Sequence, residues 1–353
     1  MSQAEQSTER HSLSVRSWHF VAEPSDRYPS CHCSVLVELK SGEVLVGYYA
    51  GSGEAKPDTA WVLARRPAGE EAFGKLSVLA DTNGKPEGNG VLYQGQDGTL
   101  RCIYGVMHGR LDGEAGPGVR WRTCDLRMKT SQDDGQTWTD VEIIDSEWGN
   151  VPRCKPIRIA NKDLLLGVEY GDGNSRIWRS GDDGYGWQMV GRIEGSKNQH
   201  PALLERSDGS ILALLRPCGG QGRLLYSESR DGGVTWSSAN LTELASPFAA
   251  IDAVRLSDGR FVVAYNSNPQ ARNPLTIAVS EDEGHSWPIK RDLVTGEGQF
   301  HYPAIIQDRN GCLQVTFTNN RKTIDHVVLE IDWLEGRDES LVWEDGERSG
   351  FTQ

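Results

Sequence analysis

The sequence predicts an all-β chain, a six-bladed β-propeller with four-stranded antiparallel blades and an N-terminal strand closing the last blade. Three observations carry this. Four segments fit the pattern Ser-x-Asp-x-Gly-x-x-Trp, running Ser131 to Trp138, Ser180 to Trp187, Ser229 to Trp236 and Ser280 to Trp287; their starts lie 49, 49 and 51 residues apart. A fixed period near fifty marks a repeated supersecondary unit. Short turns at Ser41-Gly42, Asp97-Gly98, Asp208-Gly209, Asp258-Gly259 and Asn310-Gly311 each join two apolar runs, and Asn161-Lys162-Asp163 does the same without glycine. These are hairpin signals, six in all. No segment shows a helical period, and 40 Gly with 11 Trp suit short strands and tight turns.

Each unit reads strand, hairpin, strand, loop, strand. Blade one takes 34–39, 44–49 and 59–64; blade two takes 90–94, 99–104 and 120–131. Blade three takes 156–160, 164–169 and 175–180; blade four takes 202–205, 211–216 and 223–229. Blade five takes 253–256, 261–266 and 275–280; blade six takes 304–307, 313–318 and 326–331. Residues 13–21 alternate like a strand and are expected to pair with blade six, which removes an exposed edge. In the repeated turn, Asp bonds the backbone, Gly takes a positive φ and Trp packs back on the turn. The motif is structural. One propeller domain is expected over 13–340, with a lead-in at 1–12 and a tail at 341–353.

The net charge of −13 argues against a nucleic-acid backbone or an anionic membrane as partner. It leaves room for an anionic small substrate in a local cationic pocket. No apolar run approaches the ~20 residues of a membrane span. The polar start, without an apolar signal-like core, and seven scattered Cys point to a reduced, cytoplasmic setting. Cys31, His32 and Cys33 alternate along a strand and lack a second ligand pair, so neither a metal nor any cofactor is expected.

The first strand of each propeller blade lines the axis, so the residues opening those strands should converge at one mouth. They are His32, Asn89, Lys155, His200, Asp252 and Tyr302, all polar or ionisable. Arg153, Arg216, Arg223, Arg272 and Arg321 are cations within reach, suited to bidentate capture of a carboxylate. Asp58 ends the loop 51–57 that leaves the second strand of blade one, where a carboxyl can donate a proton to a leaving oxygen. Trp61 and Trp121 are candidates for a sugar-facing surface, with core packing the alternative role.

Several segments go further: Ser30-Cys31-His32-Cys33-Ser34, Arg153-Cys154-Lys155-Pro156, Leu215-Arg216-Pro217, Ile251-Asp252-Ala253-Val254 and His301-Tyr302-Pro303-Ala304. With the repeated turns, they make residues 30–334 resemble the sialidase-like superfamily of Asp-box (BNR-repeat) propellers, in its bacterial exo-sialidase-like branch. The resemblance implies an exo-glycosidase acting on a terminal acidic sugar such as a sialic or uronic acid. It implies Asp58 as loop acid, Arg223 and Arg272 as carboxylate-binding arginines, and Tyr302 as nucleophile. Two roles depart from the family pattern: His32 stands where the first arginine is expected, and His200 where a glutamate should activate the tyrosine. Two other readings remain open. A lyase would use His32 or His200 as base, Arg216 or Lys155 to stabilise the enolate, and Tyr302 to protonate the leaving group. A glycan-binding propeller without catalysis would share the fold. His32, as a neutral base or proton shuttle, is expected in one pocket with Tyr302 and Arg272.

Overall fold

A blade that packs between two others must bury both faces of its strands, and alternation divides the side chains between the neighbours. In the second strand of blade one (Val44–Gly51), Val44, Val46, Tyr48 and Ala50 face blade six, while Leu45 and Tyr49 face blade two. The computed structural model, which describes residues 15–114, 118–336, 340–344 and 347–349, repeats this six times. Its six sheets, antiparallel except for one parallel pairing at the outer edge of blade five, form a ring of blades. The apolar core is divided into one major cluster between each pair of neighbouring blades.

The inner strands are Ser30–Glu38, Glu87–Gln94, the pair Val151–Pro152 and Ile157–Arg158, Asn198–Glu205, Asp252–Arg255 and Phe300–Gln307. The sequence reading expects an unbroken strand at 156–160. Pro152 and Pro156 each remove a ladder donor, so the strand splits. In blade two the third strand begins at Cys124, after one 3-10 turn at Trp121–Thr123. Val15–Ala22 pairs with Thr323–Leu329 and completes blade six. The lead-in 1–12 lies outside the described residues.

One expectation is corrected. Two segments read as part of a tail, Leu341–Glu344 and Glu347–Ser349, add strands to the outer edge of blade five. Leu341 is fully buried in the cluster between blades five and six, which explains why this segment stays on the sheet.

The repeated turns behave as their chemistry requires. Ser131 Oγ accepts from Gly135 N at 2.8 Å and donates to Asp133 Oδ1 at 2.7 Å, and Asp133 Oδ1 accepts from Thr137 N at 2.9 Å. The same bonds recur around Asp182, Asp231 and Asp282. Gly135, at φ 81°, takes the left-handed conformation that the turn needs. These turns join third to outer strands, on the face carrying the hairpin turns. The loops between second and third strands lie on the opposite face, and that face carries the site.

Candidate active site

The site starts from a backbone irregularity. In the inner strands of blades one, four and six, pairing skips from His32 to Val35, Gln199 to Ala202 and His301 to Ala304, while the partner strand advances only two residues. Each is a one-residue bulge that re-aims side chains. Cys33, His200 and Tyr302 occupy equivalent positions there, at φ 60°, 49° and 49°. An L-residue held in this left-handed region costs on the order of 1 kcal/mol. Three such residues at one end of the ring axis mark a place where geometry is imposed by the fold.

The bulges also change the expected register. His32 aligns with Gln199 and His301, whereas Cys33 aligns with His200 and Tyr302, so the six strand openings do not share one position. Simple alternation would turn Cys33 away from the axis. Instead Cys33 packs in one cluster with Tyr49 and Tyr302, while Cys31 packs with Tyr48 and Val21.

A buried floor results. Tyr302 is 6 % exposed, and His32 lies edge-on to it with ring centroids 4.6 Å apart. His32 also meets His301 at 5.3 Å and Tyr49 at 5.6 Å. Both His32 ring nitrogens lack a hydrogen-bond partner among the described residues. Arg216 brings Nη1 to 3.4 Å from the Tyr302 hydroxyl and 3.5 Å from His200 Nδ1. His200 Nε2 lies 3.0 Å from Glu169 Oε2. Arg153 is fully buried, its guanidinium 5.3 Å from the Tyr302 ring centroid and bonded to Pro303 O at 2.6 Å.

Above the floor is a partly exposed rim. Arg272 donates Nη2 to Phe248 O at 2.9 Å, and its Nη1 lies 2.7 Å from His301 Nδ1. Arg216 reaches the same Phe248 carbonyl at 3.5 Å, so two guanidinium groups converge on one oxygen. The Phe248 ring, exposed, stacks on Arg216 at 3.7 Å. Glu54 accepts from Trp121 Nε1 at 3.0 Å and from Arg321 Nη1.

Burial, then the surrounding arginines, hold His32 and His200 well below the ordinary imidazole pKa, and push His301 down to about 3. All three rings are therefore neutral at physiological pH. Burial raises the Tyr302 phenol, with Arg216 and Arg272 pulling the other way, so the resting phenol is protonated. Burial pushes the Glu169 carboxyl up to about 7.

The sequence-predicted residues divide. His32, His200, Tyr302, Arg153, Arg216, Arg272 and Arg321 come together. Arg223 does not: it opens the third strand of blade four with its side chain exposed, and Arg216 is the blade-four arginine at the centre. Asp58 is exposed and accepts from Ser52 N at 3.0 Å and Ser52 Oγ at 2.8 Å, which closes the base of its own loop. The acid of that loop that reaches the site is Glu54. Lys155 and Asp252 form a 2.8 Å ion pair, with Lys155 also on Ala253 O and Asp252 Oδ2 accepting from Ile305 N. They tie the inner strands of blades three, five and six together. Asn89 is buried in the blade-two bulge, its Oδ1 without a donor among the described residues. Trp61 is core, bonded to Gly88 O at 2.9 Å.

Sequence reasoning missed Glu54, Glu169, His301 and Phe248. One signal was present: Gln199-His200-Pro201-Ala202 and His301-Tyr302-Pro303-Ala304 are parallel segments. Aligning them puts His301 in the position of Gln199 and exposes the shared bulge.

Fold and repeated turns together define a six-bladed propeller of the BNR-repeat class. Residues 42–315 match the BNR repeat-like domain, and the chain belongs to that family. Among solved structures it is similar to a protein of unknown function from Dyadobacter fermentans, at 17% identity over 90% of this chain and 99% of that one, TM-score 0.75. It is also similar to a Hadza microbial sialidase, at 18% identity over 90% and 69%, TM-score 0.76. The NanB sialidase of Streptococcus pneumoniae aligns at 13% identity over 89% and 71%, TM-score 0.74. No curated protein matches the chain in sequence.

Proposed function

We propose that this protein is a glycoside hydrolase that removes a terminal acidic sugar. The observation that carries the reading is the convergence of Arg216 and Arg272 beside the buried Tyr302 hydroxyl. Paired guanidinium groups suit a sugar carboxylate, whose two oxygens can each accept charge-assisted bonds. In an acidic protein these arginines make a local cationic funnel. The sialidase names among the structural neighbours support the same chemistry.

In this reading the carboxylate docks between Arg216 and Arg272, and the Phe248 ring offers a face to the sugar. Tyr302 passes its phenolic proton to a neighbouring base and attacks the anomeric carbon as the glycosidic C–O bond breaks, and Glu54 gives a proton to the departing oxygen. Water then cleaves the tyrosyl–sugar bond, Glu54 taking a proton from the water and the base returning one to the Tyr302 oxygen. His32 stays neutral against the Tyr302 ring and fills the space of the arginine expected there.

A second reading is a lyase, favoured by one feature: His32 is a neutral base with both nitrogens free of partners among the described residues. The test is a screen of sialosides and uronosides with mass spectrometry of the products. A released saturated acidic sugar, with Tyr302→Phe lowering kcat a hundredfold or more, supports the hydrolase. A 4,5-unsaturated uronate absorbing in the near ultraviolet would establish the lyase instead. Binding without turnover would make the protein a glycan-binding propeller.

A further inference from the structure

A neutral tyrosine cannot attack until it loses a proton, and among the described residues no carboxylate bonds directly to the Tyr302 hydroxyl. A candidate base is His200, whose Nδ1 shares the Arg216 Nη1 neighbour with the Tyr302 hydroxyl, at 3.5 and 3.4 Å. An imidazole is useful here only if Nδ1 carries the lone pair. Its tautomer depends on what its other nitrogen meets.

That partner is Glu169, from the end of the second strand of blade three (Leu164–Tyr170), 3.0 Å from His200 Nε2. The contact between blades is built in. Gly167, two residues earlier, has no side chain, and a Cβ there would stand 2.5 Å from Pro201 Cγ. Its absence lets the bulge at His200-Pro201 close on the strand that carries Glu169. Gln199 Nε2 donates to Glu169 Oε1 at 2.6 Å, so the two carboxyl oxygens are separately engaged.

We propose that Glu169 is the positioning residue of this site: its carboxylate accepts the Nε2–H of His200, leaves Nδ1 bare beside Arg216 and Tyr302, and lets the Glu169–His200 pair act as one base for the tyrosine. The inference rests on the tyrosine-dependent reading above. The proton balance is simple. The phenolic proton goes to His200 Nδ1 and the Nε2 proton goes to Glu169. His200 ends neutral in the other tautomer, and one negative charge has moved from Glu169 to the Tyr302 oxygen, where Arg216 stabilises it. Burial, the dominant influence, suits Glu169 to take a proton near neutrality, with Arg216 opposing it. The ionisable groups around Glu169 are His200 and Arg216 from blade four, Cys218 just beyond Arg216, and Cys124 from blade two. Both thiols are pushed upward, mainly by burial, and stay protonated, so the change near neutrality belongs to Glu169.

Two measurements test this on the intact protein. Nitrogen-15 NMR of histidine-labelled protein, with His200 assigned through His200→Gln, reads the tautomer without any substrate. The expected result is Nε2–H in the wild type and in Glu169→Gln, whose amide oxygen still accepts, with that preference lost in Glu169→Ala. Wild-type His200 carrying its proton on Nδ1, or a folded Glu169→Ala with the tautomer unchanged, overturns the proposal. If Glu169→Ala does not fold, the wild-type tautomer still decides. The second measurement is kcat against pH on the substrate found in the screen. The acidic limb near pH 7 should disappear in Glu169→Gln while kcat falls about tenfold to a hundredfold, with KM nearly unchanged. An acidic limb kept in Glu169→Gln would overturn the assignment. If the wild type turns over nothing, the hydrolase reading fails, and the NMR result alone decides the positioning role.

Discussion

At the scale of single residues, the site turns on which of two acids in one loop meets the substrate. Asp58 spends both carboxyl oxygens on Ser52 and is depressed below the usual carboxylate range, with those bonds outweighing its desolvation. Both bonds stay within its own loop. Glu54 faces Trp121 and Arg321 at the mouth. Glu54→Gln should therefore lower kcat a hundredfold or more on a substrate with a poor leaving group, and far less when the leaving group is activated. Asp58→Asn should leave kcat within about twofold. Kinetics on the two variants check this, and a larger loss in Asp58→Asn would return the role to Asp58.

At the scale of elements, two devices divide the work. Asp-box turns anchor blades two to five on the face away from the site, and bulged inner strands aim side chains at its centre. Asp231 accepts from Val234 N, Thr235 N, Thr235 Oγ1 and Ser229 Oγ. Asp231→Ala should cost roughly 1–3 kcal/mol in stability, since it strips several bonds from a tight turn. Its kcat at a temperature where the variant stays folded should match the wild type, because the turn lies on the opposite face. Chemical denaturation paired with steady-state kinetics reads both, and a stable variant with impaired turnover would contradict the division.

At the scale of the molecule, ring closure depends on a segment distant in sequence from the blade it completes. Val15–Ala22 supplies the outer strand of blade six, and Trp18 is 2 % exposed with its Nε1 bonded to Asp325 Oδ2 at 2.9 Å. Without that strand, the edge of Thr323–Leu329 would be open to aggregation. Trp18→Ala should cost about 3–5 kcal/mol by chemical denaturation, the usual loss for a large buried aromatic. A change below about 1 kcal/mol would mean that this closure contributes little.

The blade count, hairpins, Asp-box turns and closing strand were legible in the sequence because they repeat, and their bonds are local: Ser131, Asp133, Gly135 and Thr137 satisfy one another within seven residues. Tyr302, Arg216, Arg272 and His200 were named because each follows or opens a recognisable strand. Their arrangement was not legible. A one-residue bulge reverses the facing of every side chain up to the next regular pair, and so moved Cys33 inward and set His32 beside Tyr302 in a different register. The choice of Glu54 over Asp58 depends on Trp121 and Arg321, from blades two and six. The partnership of Glu169 with His200 joins blades three and four through a gap left by Gly167. Local pattern determined the propeller; the site depends on contacts between blades, and only the closed ring brings those residues within a hydrogen bond of one another.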